Sequence, residues 1–170
     1  MSDDYPLRPF LPGDTMPLRD LFAASIDELT ADDYNDDQRI AWATTAEDAD
    51  AFAKRLSEAT TLVVHVDGEY LGFASLKANT QIDMLYVNPN YAGEGVGTAL
   101  VDAIERIAQA RGAASLSVDA SETAVLFFEA RGYGPVQRNS IPIDDQWLTN
   151  TTMMKTLKPS TETPAQSRPS

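Results

Sequence analysis

"YAGEGVGTAL", residues 91–100, crowds three glycines into a turn that opens directly on an apolar helical pattern. The segment before it, "QIDMLYV" (81–87), is strand-like and is closed by "NPNY" (88–91). After it, Val96, Leu100, Ile104, Ile107 and Ala108 form a stripe at helical spacing that Gly112 stops. A strand, a glycine turn and a long helix present successive backbone N–H groups at a helix N-terminus, an arrangement that holds anions without cationic side chains. The surrounding chain is acidic: 13 Lys and Arg stand against 26 Asp and Glu, a net charge of −13. An anion site here must be borne by the backbone, with the side chain of Glu94 turned to solvent.

The 170 residues fit a single domain, and 43% hydrophobic with 23% charged residues is the balance of a globular chain in water. No apolar run reaches the ~18 residues of a membrane span. The acidic start "MSDDYPLRPF" lacks the order of a signal peptide, so a cytoplasmic setting is expected. The absence of cysteine excludes disulfides, Cys-bound zinc and thiol catalysis, and one histidine leaves no multi-His metal site. The acidity disfavours nucleic acid. It suits a cationic small partner, or equally plain solubility and adaptation to salt.

Working outward, "YPLRPF" (5–10) reads as a short first strand ended by "LPGD". In "DTMPLRDLFAASIDEL" (14–29), Leu18, Leu21, Phe22 and Ile26 share one helical stripe, with Asp14 at the N-cap. "TADDYNDDQRIAWA" (30–43) is a polar connection into a short helix carrying Ile40 and Trp42. "TTAEDADAFAKRLSE" (44–58) makes another helix, with a capping box from Thr45 to Asp48. The period then drops to two. "TTLVVHV" (60–66) and "EYLGFASLKA" (69–78) are strands joined by Asp67-Gly68, a strong hairpin signal. After the glycine-turn helix come a strand in "ASLSVDA" (114–120) and a helix in "SETAVLFFEARGY" (121–133), with Ser121 as N-cap and Gly132 as stop. "QWLTNTTMMKTL" (146–157) is the final strand. The order is α+β: a single domain over 1–157, then a disordered tail over 158–170.

The glycine turn has three phosphate-binding readings. A P-loop needs Lys before its Ser or Thr, and here Gly97 is followed directly by Thr98. A dinucleotide fingerprint needs a third glycine where Thr98 stands. Asp119 imitates its ribose-binding acid, but the turn follows the third strand of an antiparallel meander. The third reading matches throughout. "AGEGVG", between its strand and its helix, resembles the acetyl-CoA motif of the GNAT acetyltransferases, Q/R-x-x-G-x-G/A. "SETAVLFFEARGY" resembles their second signature, N-x-x-A-x-x-F-Y-E-x-x-G-F. The resemblance runs from residue 5 to 157, and "YNDDQRIAWA" with "QWLTNTTMMK" is similar to a group of small bacterial acetyltransferases of this superfamily.

The resemblance implies a mixed, mostly antiparallel sheet, splayed at its central strands near Ser117 and flanked by helices. It implies acetyl-CoA as co-substrate, with no metal. The pyrophosphate would sit on Ala92, Gly93, Glu94, Gly95, Val96, Gly97 and Thr98. The pantetheine arm would lie along Leu85, Tyr86 and Val87, with Ser121, Phe127 and Phe128 beside it. Two residues depart from the family: Ala92 replaces the motif's Gln or Arg, and Phe128 replaces a tyrosine that often protonates the leaving thiolate. Asp83, of the same parity as Leu85 and Val87 if no bulge intervenes, is the candidate base, against an exposed or structural carboxylate. Tyr34 and Trp42 fall where the acceptor wall is built, against ordinary core packing. His65 reads as a plain strand histidine; Tyr86 and Tyr133 are the other phenols that could donate a proton. The implied activity is N-acetylation of a small amine by direct attack, since no cysteine can carry the acyl group. A non-catalytic acyl-CoA sensor and a longer acyl donor are the alternatives. A homodimer is allowed, and neither nucleic acid nor membrane is expected as a partner.

Overall fold

The alternating segments in the middle of the chain assemble into one sheet. The computed structural model describes residues 5–157, so the expected tail lies outside the described residues. β1 (Arg8–Pro9), β2 (Thr60–Val66), β3 (Glu69–Lys77) and β4 (Gln81–Val87) form an antiparallel meander. β5 (Ser115–Ser121) joins β4 in parallel, and β7 (Gln146–Thr156) lies antiparallel between β5 and β6 (Gly134–Ile143). The β2–β3 hairpin turns on Asp67 (φ 52) and Gly68 (φ 82), the left-handed pair of a two-residue turn. The α+β class and the mixed sheet are those expected.

Helices cover both faces. α4 (Val96–Ala110) seats Leu100 and Ile104 on one face, against Val64, Ala74, Ile82 and Leu116. On the other, α1 (Thr15–Leu29) and α3 (Ala49–Glu58) pack Leu18, Phe22, Phe52 and Leu56 against Val63, Phe73 and Met84. α4 approaches β3 closely at Gly72, where a Cβ would stand 2.9 Å from Val96 Cγ1 and 3.0 Å from the Tyr86 carbonyl oxygen. The shorter α2 (Asp36–Thr44) and α5 (Val125–Ala130) flank the cleft described below.

Several local expectations change. The capping box belongs to Asn35 and Gln38 at α2, whereas α3 is capped by Asp48 alone, which accepts from the Ala51 N–H at 3.1 Å. Thr45 plays no part in it: its hydroxyl donates back to the Trp42 carbonyl. Asp14 occupies the N-cap position of α1 but makes no cap bond. Its carboxylate instead accepts from Nη1 and Nη2 of Arg8, the Leu11 N–H and the Tyr70 hydroxyl, tying β1 and the α1 entry to β3. The sequence carries no strand signal for β6. Pro135 and Pro142 interrupt its pattern, and it is the sheet's edge strand with almost every residue exposed, so neither alternation nor proline exclusion applies.

Candidate active site

The glycine turn is built as a cradle. Asn88 closes β4: its N–H bonds the Leu71 carbonyl, its Nδ2 bonds the Tyr70 carbonyl, and its Oδ1 accepts from the Asn90 N–H. The chain then passes through two left-handed glycines, Gly93 (φ 76) and Gly95 (φ 90), a conformation in which any Cβ is strained. The first helical bond runs from the Ala99 N–H to the Gly95 carbonyl, so Val96, Gly97 and Thr98 point N–H groups out of the helix end without helical acceptors. At Gly97 the neighbouring protein atoms leave room for a Cβ, the nearest being Phe127 at 3.5 Å. The Tyr5 hydroxyl donates to the Glu94 carbonyl at 2.7 Å and steadies the turn from outside.

Next to the cradle the sheet forks. β4 and β5 pair only at Gln81 with Ser117 and Ile82 with Val118, and beyond that they separate, leaving the β4 edge from Asp83 to Val87 without a partner strand. The divergence opens a cleft of about 680 Å³. Every residue expected to hold the cofactor or the acceptor, and Asp83 with them, lines it except Glu94. Among the described residues no Lys, Arg, His or Glu lines it, and its carboxylates are Asp83 and Asp119.

Asp83 requires a correction. The β3–β4 register pairs Leu76 with Ile82 and Ser75 with Met84, so Asp83 is the extra residue of a β-bulge. Ile82, Leu85 and Val87 face the core under α4, while Met84 and Tyr86 face α1 and α3. The shared parity of Asp83 with Leu85 and Val87 is thus broken. Its carboxylate meets α3 instead, held by Arg55 through Nε at 2.7 Å and Nη2 at 3.1 Å.

The far end of the cleft is aromatic. Tyr34 packs edge-on to Trp42 at 5.3 Å, and Trp42 to Tyr86 at 6.4 Å, with the indole N–H donating to the Tyr86 oxygen at 3.2 Å. Burial pushes the Tyr86 phenol up to about 12 and raises that of Tyr34. The Tyr34 hydroxyl donates to the Thr149 carbonyl at 2.6 Å and accepts from the Glu122 N–H at 2.9 Å, so the α1–α2 connection is strapped to β7 and to the β5 exit. Ser121 Oγ accepts from the Ala124 N–H at 3.2 Å, one turn ahead of α5. Phe128 is buried between Phe127 and Tyr133, with centroids at 5.1 and 5.2 Å. Tyr133 does not replace it, because its hydroxyl is turned to Glu105 on α4 at 2.8 Å, and burial together with that bond raises its pKa strongly.

The sequence reading missed two contributions. Ile141, Leu148, Thr149 and Asn150 close one side from the β6–β7 hairpin, half of which carried no strand signal. Asp119 stands out in the sequence only as a mimic of a ribose-binding acid. Its alternation with the core residues Val118 and Ala120 was the available sign that it points the other way.

A family model, the acetyltransferase (GNAT) domain, matches residues 30–157. The chain belongs to the GNAT acetyltransferases. This GNAT enzyme is an N-acetyltransferase, similar to the uncharacterized N-acetyltransferase YafP of Escherichia coli, at 30% identity over 144 residues, 85% of this chain and 91% of that protein. It is also similar to a crystal structure of a GCN5-related N-acetyltransferase from Rhodopseudomonas palustris, with 51% identity, a TM-score of 0.90, and coverage of 92% of this chain and 98% of that one. The PaiA N-acetyltransferase of Thermoplasma acidophilum, solved in complex with coenzyme A, shares the fold at 17% identity and a TM-score of 0.73, covering 92% and 99%.

Proposed function

We propose that this GNAT enzyme moves the acetyl group of acetyl-CoA to a primary amine, a small cationic molecule, by direct attack with both substrates bound. The observation that carries this is the lining of the cleft: backbone donors at one end, an open strand edge in the middle, and aromatic rings with carboxylates at the other. The N–H groups from Gly93 to Thr98 hold the pyrophosphate, helped by the helix N-terminus, so Ala92 costs one side-chain contact and not the site. The free edge of β4 at Leu85, Tyr86 and Val87 pairs with the pantetheine arm as an added strand would. Ser121, Phe127 and Phe128 form its opposite wall. An N–H of the same edge lies toward the thioester oxygen and stabilises the charge that develops there, commonly the largest contribution in acyl transfer.

A primary amine with a pKa near ~10.4 is mostly protonated at neutral pH, so a carboxylate must accept a proton before attack. Asp83 and Asp119 are the two carboxylates that line the cleft, which supports giving that proton to one of them. Tyr34 and Trp42 offer ring faces to the cation. Phe128 donates no proton, but a thiolate of parent pKa ~8.5 leaves with assistance from water. Direct attack fits a chain without cysteine, and a cytoplasmic setting belongs to the same proposal.

The test is release of free CoA thiol from acetyl-CoA across a panel of primary amines, diamines and aryl-ethylamines. Amine-dependent release that saturates in both substrates is expected. Tight acetyl-CoA binding with no release above the hydrolytic background for any amine would overturn the proposal.

A further inference from the structure

We infer that Asp119 receives the acceptor's ammonium and takes its proton, while Asp83 beside it is a charge-balanced strut. This rests on the acetyl-transfer reading above and names the group that serves it. Ile82 and Val118 are the last register partners before the fork, and both are buried in the core under α4. The next residue on each prong is an aspartate, and both turn to the opposite face, the one holding the aromatic wall. Two carboxylates therefore flank the crotch of the fork, within one cleft.

Their surroundings differ. Asp83 is neutralised by the two-point Arg55 pair and its side chain is only 11% exposed. Asp119 has no cationic partner among the described residues. One of its oxygens accepts from the Thr152 hydroxyl at 2.7 Å, and Thr152 in turn accepts from Asn139 Nδ2 at 2.9 Å, which also bonds Asn150. This relay from β6 through β7 fixes the carboxylate without quenching its charge, and its other oxygen has no donor among the described residues. Of the other acidic groups nearby, Glu122 at the β5 exit is paired with Arg138 of β6 at 2.6 Å, and Asp33 of the α1–α2 connection, which does not line the cleft, accepts from the Thr123 hydroxyl at 2.7 Å. From α1, α2 and their connection, the cleft meets Ser25, Thr30, Trp42 and the Tyr34 phenol, none of them charged at neutral pH. Among the described residues that line the cleft, Asp119 carries the one carboxylate without a cationic partner.

In the reaction, the ammonium passes one N–H proton to the free oxygen of Asp119. The released lone pair forms the C–N bond at the thioester carbonyl. The C–S bond then breaks with its electron pair going to sulfur, the remaining excess N–H proton is lost toward the thiolate, and Asp119 returns its proton to solvent. The net products are the acetamide, free CoA thiol and one proton.

Two measurements on Asp119→Asn and Asp83→Asn separate this inference from the reading it rests on. In calorimetric titration of the CoA-saturated protein with 1,4-diaminobutane and with 2-phenylethylamine, wild type is expected to bind at least one probe. Asp119→Asn is expected to lose that binding at least tenfold while its CoA affinity stays within twofold. This readout needs no turnover, so a failure of acetyl transfer does not decide it. In the kinetic arm, with the best amine, Asp119→Asn is expected to lose at least a hundredfold in kcat/KM at pH 7. That deficit should shrink as the pH approaches the amine's own pKa, where the amine arrives neutral. Asp83→Asn is expected to lower the melting temperature and to show a deficit independent of pH. Unchanged amine affinity in Asp119→Asn, kcat/KM within threefold of wild type, or the pH-dependent deficit appearing in Asp83→Asn instead would each overturn the assignment.

Discussion

The Asp14 carboxylate, almost wholly buried, accepts from the Arg8 guanidinium, the Leu11 N–H and the Tyr70 hydroxyl, and the Arg8 bond above all lowers its pKa to about 2. An aspartate in the unfolded chain titrates near ~3.9, so the folded value is depressed and the linkage is stabilising above that pH. The contribution is complete above the unfolded value and is lost as the pH falls through the folded one. It amounts to roughly 2 kcal/mol. Urea denaturation between pH 6 and pH 2 should show this loss, and Asp14→Asn should be less stable at pH 6 with a flatter acid limb. At this scale the sequence was legible wherever chemistry is local. The left-handed glycines, the Asp67-Gly68 turn and the vacancy of a phenol at Phe128 all follow from residue type. The bulge at Asp83 does not. It is set by the offset between two strands' registers, and no property of "QIDMLYV" alone announces it.

Helix α4 carries the cradle, and its position depends on the element beneath it. Gly72 lets β3 come under Val96 and Leu100, and a methyl group there would overlap Val96 Cγ1 at 2.9 Å and the Tyr86 carbonyl at 3.0 Å. Gly72→Ala should destabilise the fold by about 1–3 kcal/mol, the usual cost of overpacking. It should also weaken CoA binding, because Val96 begins the helix whose first N–H groups form the cradle. Thermal denaturation and a CoA titration on the same variant measure both effects; loss of stability with unchanged CoA affinity would show that α4 yields without moving its N-terminus. Helical stripes made α1 and α4 readable, and apolar, β-branched runs bounded by turn residues made β2, β3 and β4 readable even though β3 is buried at six consecutive positions. Both signals fail for β6, which buries almost nothing, and its loss from the reading hid the wall that the β6–β7 hairpin adds to the cleft.

For the whole molecule, the net charge of −13 acts with opposite sign on acetyl-CoA and on the cationic acceptor proposed above. Its long-range field attracts a cationic amine and repels acetyl-CoA, and salt screens both beyond about 8–10 Å. Raising ionic strength from about 0.05 to 0.5 M should therefore increase KM for the amine several-fold while KM for acetyl-CoA falls or stays level. Parallel changes in the two constants would argue against a cationic acceptor. The order of strands has a consequence for the making of the protein. β7 comes last among the described elements, yet it is threaded between β5 and β6, and its Thr149 is bonded to Tyr34, 115 positions earlier. A chain lacking everything after residue 145 has β5 without its β7 partner, Asp119 without the Thr152 hydroxyl, and Tyr34 without the Thr149 carbonyl. The cleft is therefore complete only once β7, the last strand among the described elements, has paired with β5 and brought Thr149 and Asn150 to its wall.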